Sequence, residues 1–150
     1  EQWFKPLAYS LILLRQEGYP CIFYPDLYGA SYTDKGKDGA DYEIFLNKVE
    51  ELEALLYARK QFAYGLQRDY FDEPNCIGWT REGNEEHSGC AILLTNGDAD
   101  QKAMEIGQQY AGKTFVDLLR KCSNEVVIDE AGWAEFHVSP GSVSVWVEKS

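Results

Sequence analysis

Gly18-Tyr19-Pro20-Cys21-Ile22-Phe23-Tyr24-Pro25-Asp26-Leu27-Tyr28-Gly29 is the stretch on which the reading of the fold turns. Gly18 can close a preceding helix, because glycine accepts the left-handed conformation found at helix C-termini. Pro20 cannot continue one. Residues 21–24 form a short apolar run without alternation, the pattern of a strand buried on both faces in a parallel sheet. Pro25 lacks an amide N–H and ends the ladder. Asp26 and Tyr28 then fall just past the strand, where parallel strands present their chemistry.

Working outward, residues 5–17 predict an amphipathic helix. Pro6 is tolerated in its first turn, and Leu7, Ala8, Leu11, Ile12 and Leu14 form a wide apolar stripe. Residues 29–40 read as a polar, glycine-rich loop. Residues 43–64 predict a second helix, with Phe45, Val49, Leu52, Leu56 and Phe62 at helical spacing and Gly65 closing it. Helix, buried strand, loop and helix make the unit of a parallel α/β fold. One such unit cannot build a sheet, so this part reads as the end of something larger.

From about residue 75 the pattern changes. Short runs at 75–81, 89–95, 102–106, 114–119, 125–128, 133–138 and 142–147 recur between glycines. Val143, Val145 and Val147 alternate with Ser142, Ser144 and Trp146. Ala134, Phe136 and Val138 alternate with Trp133, Glu135 and His137. This is the signature of an antiparallel sandwich.

The 150 residues suffice for one domain or two small pieces. Ten Tyr, seven Phe and four Trp within 45% hydrophobic content support a real core. A net charge of −11 argues against nucleic acid and anionic membranes as partners. No apolar run reaches the ~20 residues of a membrane span. The start, Glu1-Gln2-Trp3-Phe4-Lys5-Pro6, has neither an initiator Met nor a signal-peptide pattern. Glu1 is therefore read as a processing site or a cut in a longer protein. Cys21, Cys76, Cys90 and Cys122 include no C-x-x-C pair, so a thiolate zinc site is not expected. They read as reduced thiols of a cytoplasmic protein.

The residues also resemble a family. Trp3-Phe4-Lys5-Pro6-Leu7-Ala8-Tyr9, Leu13-Leu14-Arg15, the 18–29 stretch, Ala58-Arg59-Lys60-Gln61-Phe62-Ala63-Tyr64-Gly65, Gly78-Trp79-Thr80-Arg81-Glu82-Gly83 and Gly141-Ser142-Val143-Ser144-Val145-Trp146-Val147 look like the C-terminal part of an α-amylase of glycoside hydrolase family 13. Within it, Phe23-Tyr24-Pro25-Asp26-Leu27-Tyr28-Gly29 and Phe71-Asp72-Glu73-Pro74-Asn75-Cys76-Ile77 are similar to the bacterial liquefying subgroup and its cytoplasmic members. The resemblance implies the last helix–strand–helix of a (β/α)8 barrel at residues 1–70. An all-β antiparallel, Greek-key-like sandwich follows at 71–150. A whole barrel needs about 250 residues, so most of it lies outside this chain.

Retaining hydrolysis of α-1,4-glucans needs a nucleophilic carboxylate and a nearby carboxylic acid. The resemblance places these, with a third carboxylate, upstream of Glu1. No catalytic residue is therefore assigned, and the chain alone is expected to be inactive. Glu50, Glu51 and Glu53 read as a solvated helix face. Asp26 and Tyr28 are the substrate-cleft candidates: Asp26 either lines the sugar cleft or hydrogen-bonds its own turn, and Tyr28 either stacks on a sugar or packs the loop.

Calcium requires several oxygen ligands. Asn96-Gly97-Asp98-Ala99-Asp100 fails as an EF-hand, which would need Gly at Gln101 and Glu at Gly107. Secreted relatives hold an interdomain calcium with a His and an Asp where this chain has Pro74 and Asn75, and an Asp where it has Asn96. That ion is expected to be absent, leaving no cofactor in this chain and calcium only elsewhere in the parent enzyme. His87 and His137 read as surface or hydrogen-bonded residues. Trp79, Trp133 and Trp146 read as packing rather than a sugar platform. The implied partner is an α-glucan, through the parent. The competing reading is a free-standing β-sandwich carbohydrate-binding or interaction module. A barrel strand without neighbours would also leave a fragment that self-associates or packs its N-terminal third poorly.

Overall fold

The computed structural model describes residues 1–150. Ten strands and three helices follow one another along the chain, and every strand pairing is antiparallel. The central sheet has six strands: β3 (Gln67–Tyr70), β4 (Cys76–Gly83), β5 (Ser88–Thr95), β7 (Thr114–Asp117), β8 (Val126–Val127) and β10 (Val143–Glu148). Their spatial order is β3-β4-β5-β10-β7-β8. A two-stranded antiparallel ribbon of β6 (Asp100–Glu105) and β9 (Trp133–Val138), strands separated in the chain by β7 and β8, stacks on one face of this sheet. Helices α1 (Lys5–Leu13) and α3 (Leu52–Gln61) cover the other face.

Period-two alternation decides which residues enter which layer. On β5, Cys90, Ile92 and Leu94 face the helices, while Ala91 and Leu93 face the β6–β9 ribbon. On β10, Val143, Val145 and Val147 join the helical side, and Trp146 joins the ribbon side. Both faces of these two strands are therefore buried. The helical-side core unites Leu7, Leu13, Leu52 and Leu55 with Trp79 and the β5 and β10 residues. The opposite core gathers Met104, Ile106, Phe115, Phe136 and Trp146. Each large apolar side chain buried in this way contributes about 1.5–3 kcal/mol relative to exposure.

The antiparallel C-terminal region agrees closely with the runs read from the sequence, with β3 as an added strand. Trp79 and Trp146 are core residues, as expected, and Trp133 lies at the surface edge-on to Tyr70.

The N-terminal third differs from expectation. Residues 20–24 do not form a sheet strand: 20–23 run without a ladder, and Tyr24 opens a short helix, α2 (Tyr24–Tyr28). A strand exists only through pairing, and this chain holds no parallel neighbour for it. Pro25 consequently sits in the first helical turn, where its missing N–H costs nothing.

The helix expected over 43–64 is also two elements. Residues of its first part form β2 (Asp41–Leu46), which pairs with β1 (Ala30–Lys35) drawn from the expected loop. The turn between them explains why. Gly39 adopts φ +79°, Gly36 N–H donates to the Ala40 carbonyl (2.9 Å), and Gly39 N–H donates to the Gly36 carbonyl (2.9 Å). That closure holds the strands in register, and Tyr42, Ile44 and Phe45 have strand-favouring side chains. The first helix stops at Leu13 rather than residue 17. The Leu14 carbonyl instead accepts from Trp79 Nε1 (3.2 Å) and Arg81 Nη1 (3.3 Å), which docks the helix end on the sheet. No helix is long and apolar enough to cross a membrane.

Candidate functional site

Asp26 occupies the first turn of α2 and is 5% exposed. Lys5 and Tyr9 lie four residues apart on α1, so both side chains leave the same face of that helix. They converge on the carboxylate: Lys5 Nζ donates to Oδ1 at 2.5 Å and Tyr9 Oη donates to Oδ2 at 2.6 Å. Tyr9 Oη in turn accepts the Phe23 N–H at 3.3 Å. The Asp26 carbonyl accepts the Val49 N–H at 2.6 Å, tying α2 to the segment that leads into α3.

Burial acts most strongly on Asp26 and pushes its pKa up, but the hydrogen bonds from Lys5 and Tyr9 outweigh it and hold the carboxyl below its ordinary value. Tyr9 is shifted upward, by burial first and then by donating to that carboxylate. Asp26 is therefore an ionised clip with both oxygens occupied by protein donors.

Tyr28 faces the other way. It is 65% exposed and packs against Tyr24 with ring centroids 4.8 Å apart. The structure thus does not bring Asp26 and Tyr28 to one surface: half a helical turn separates the buried carboxylate from the solvent-facing aromatic pair. Phe23 and, on the β1–β2 hairpin, Tyr32, Tyr42 and Phe45 are exposed as well.

The remaining candidates occupy structural positions. Glu51 precedes α3 and pairs with Lys121 at 2.9 Å, while Glu50 and Glu53 point to solvent. His87 stacks on Tyr64 with centroids 3.9 Å apart, and its Nδ1 lies 3.1 Å from the Gln61 carbonyl oxygen. His137 contributes its backbone carbonyl, which accepts from Ser144 Oγ (2.7 Å) and Trp146 Nε1 (3.1 Å). Asn96 N–H donates to the Asn75 carbonyl at 3.1 Å, beside an open cavity of about 550 Å³ that Asp98 and Asp100 also line. No three His, Cys, Asp or Glu residues converge at metal-binding distance.

Sequence reasoning did not single out Lys5, Tyr9 or Asp117. The i, i+4 pairing of Lys5 and Tyr9 was the available signal for the first two. Asp117, 5% exposed, accepts four backbone N–H groups, from Leu119 (3.1 Å), Lys121 (2.9 Å), Cys122 (3.0 Å) and Val145 (3.0 Å). Three of its partners lie in the loop that follows it and one on β10, so nothing in local spacing marks it. The buried aspartates are thus both committed to structure.

Residues 91–147 match the family model described as "Alpha-amylase C-terminal". The chain is 50% identical over 147 residues to a cytoplasmic α-amylase of Escherichia coli (strain K12), covering 98% of this chain and 30% of that protein. It is 46% identical to an α-amylase of Bacillus licheniformis, covering 99% of this chain and 28% of the relative. The chain thus spans under a third of the length of these relatives. Among solved structures, a γ-CGTase from alkalophilic Bacillus clarkii superposes with a TM-score of 0.63 at 17% identity, over 100% of this chain and 24% of that one. That likeness concerns the fold.

Proposed function

We propose that this chain, whose sequence corresponds to the C-terminal part of bacterial α-amylases, closes and supports the catalytic barrel of a retaining, endo-acting α-1,4-glucan hydrolase. Residues 71–150 are its β domain and residues 1–70 the end of its (β/α)8 barrel, with β3 already inside the β domain's sheet. The observation that carries this reading is sequence identity of 50% across nearly the whole chain to less than a third of an α-amylase. Residues 20–23 would then be the eighth barrel strand, and the extended backbone of Phe23 (φ −75°, ψ 118°) is compatible with that.

The carboxylate arrangement supports assigning catalysis to another part of the parent. Retaining glycosidases hold two carboxyl groups about 5–5.5 Å apart, each free to meet the sugar. Asp26 is saturated by Lys5 and Tyr9, and Asp117 by four backbone amides. Beside the cleft of the parent, Asp26 serves as a clip that sets the angle of α2, and Tyr28 with Tyr24 forms the face open to glucan. We place the parent in the cytoplasm, without the interdomain calcium, since Pro74, Asn75 and Asn96 supply no carboxylate there.

Reducing-end release from soluble starch tests the reading. The 150-residue chain is expected to give the blank rate, and a chain extended upstream through the barrel is expected to hydrolyse starch. Hydrolysis by the short chain, or none by the long one, refutes it. The exposed Tyr24–Tyr28 pair favours one second reading, a glucan-binding module. Retention on a starch column that is lost on Tyr28→Ala would establish that binding. The short chain is also expected to self-associate through its exposed aromatics; a monodisperse monomer in light scattering would contradict this.

A further inference from the structure

A cleft of about 300 Å³ opens where the C-terminal ends of α1 and α3 meet strand β4. Arg15, Arg59, Lys60 and Arg81 line it with Gln16 and Tyr64, and no carboxylate does. The chain has 14 basic and 25 acidic residues, so four cations around one acid-free cleft run against its composition.

The cations differ in how far the protein satisfies them. Arg15 is neutralised by a two-pronged contact with Asp69 (3.0 and 3.1 Å) and by Glu17 (3.4 Å). Arg59 donates only to the Leu13 carbonyl, at 2.7 Å. Arg81 donates to the Gly65 and Leu14 carbonyls, both at 3.3 Å. No carboxylate oxygen lies within 4.0 Å of Arg59, Lys60 or Arg81. The Leu13 and Leu14 carbonyls belong to the negative end of α1, which offsets part of this charge. Yet a guanidinium carries five N–H donors, and Arg59 uses one and Arg81 two. Burial pushes the pKa of Arg81 down, against the opposing pull of Cys90 and Glu17, and Arg59 and Arg15 add to the fall.

We propose that this cleft is a binding site for a small phosphate-type oxyanion, held by Arg59, Arg81 and Lys60. Two guanidinium forks suit the tetrahedral oxygens of a phosphate, and Lys60 supplies a mobile point charge at the rim. The volume lies at the lower end for small-molecule sites. It fits inorganic phosphate or the phosphate group of a phosphorylated sugar whose ring remains at the mouth.

Titration calorimetry of the 150-residue chain at low ionic strength tests the site, with inorganic phosphate, glucose 6-phosphate and neutral glucose in separate runs. Saturable one-to-one binding of at least one phosphate compound is expected, and none of glucose. Equal affinity for the two phosphates identifies the free anion as the ligand; about tenfold tighter sugar-phosphate binding identifies the phosphosugar. Lys60→Glu is expected to weaken binding about tenfold with an unchanged thermal midpoint, because Lys60 is exposed and its side chain has no protein partner. Arg59→Gln is expected to weaken it at least as much. No saturable binding of either phosphate, or binding undiminished in both variants, overturns the proposal.

Discussion

Replacing Asp26 with alanine separates a structural clip from a substrate-contacting acid. The substitution removes the acceptors of Lys5 Nζ and Tyr9 Oη together. A hydrogen bond to a charged group contributes about 1.5–3 kcal/mol. The full value applies to Tyr9, which is buried. The Lys5 side chain is 37% exposed, so its share is screened and falls to at most about 1 kcal/mol. The expected loss is therefore about 1.5–4 kcal/mol, a large part of the roughly 5–15 kcal/mol stability typical of a domain. Urea denaturation followed by tryptophan fluorescence reads it as a lower midpoint at unchanged slope.

The same residue sets an acid limb. Its folded pKa lies below the unfolded value of 3.8. As pH falls, the unfolded chain takes up the proton first, so protonation favours unfolding. The stabilisation is complete above the unfolded pKa and disappears as pH drops through the folded one. Asp26→Asn removes this limb while keeping one acceptor oxygen. A loss below about 0.5 kcal/mol in Asp26→Ala, with an unchanged acid limb in Asp26→Asn, refutes the clip.

Three further substitutions or modifications follow from the same structure. Asp117→Ala removes the acceptor of four backbone amides, one buried and three part-buried, and is expected to cost about 2–4 kcal/mol by chemical denaturation, since a buried unsatisfied donor costs about 1–3 kcal/mol and a part-buried one less; a cost under about 1 kcal/mol contradicts it. Gly65→Ala would place a Cβ 1.9 Å from the Gly83 carbonyl oxygen at a φ of +78°, so a depressed thermal midpoint is expected, and a wild-type midpoint would refute the close approach. Of the four free cysteines, Cys21 is exposed and is expected to react first with a thiol reagent. Burial pushes Cys76 up to about 11 and Cys90 up to about 12, so both are expected to stay unmodified until the chain is denatured. Mass spectrometry after brief alkylation decides this, and rapid labelling of Cys90 would contradict the packing.

The C-terminal strands were legible because their signal is local. Ser142 to Val147 alternates with period two, and glycines punctuate the runs, so β4, β5, β9 and β10 fall close to where the pattern puts them. The alternation does not reveal that both faces of β10 are buried, because Ser144 and Trp146 are an ordinary solvent-side pair in isolation. Their burial comes from the β6–β9 ribbon stacked above them. The same limit governed the site. Asp26 was legible as a special position, but its partners Lys5 and Tyr9 lie 21 and 17 residues away. Only the tertiary fold brings them together.

Composition, spacing and family likeness by themselves determined that this chain is an acidic, aromatic-rich molecule with an antiparallel C-terminal region, and related its whole length to α-amylases. These properties are written in neighbouring residues or in their order. The tertiary structure decided what the stretch 18–29 becomes. A strand requires partners for its backbone groups, and with none in the chain residues 20–23 stay unpaired while Tyr24–Tyr28 close into a helix. It also decided the surroundings of Asp26 and Tyr28. Two positions on a short helix project in different directions, so one became a buried, doubly bonded carboxylate and the other an exposed aromatic face.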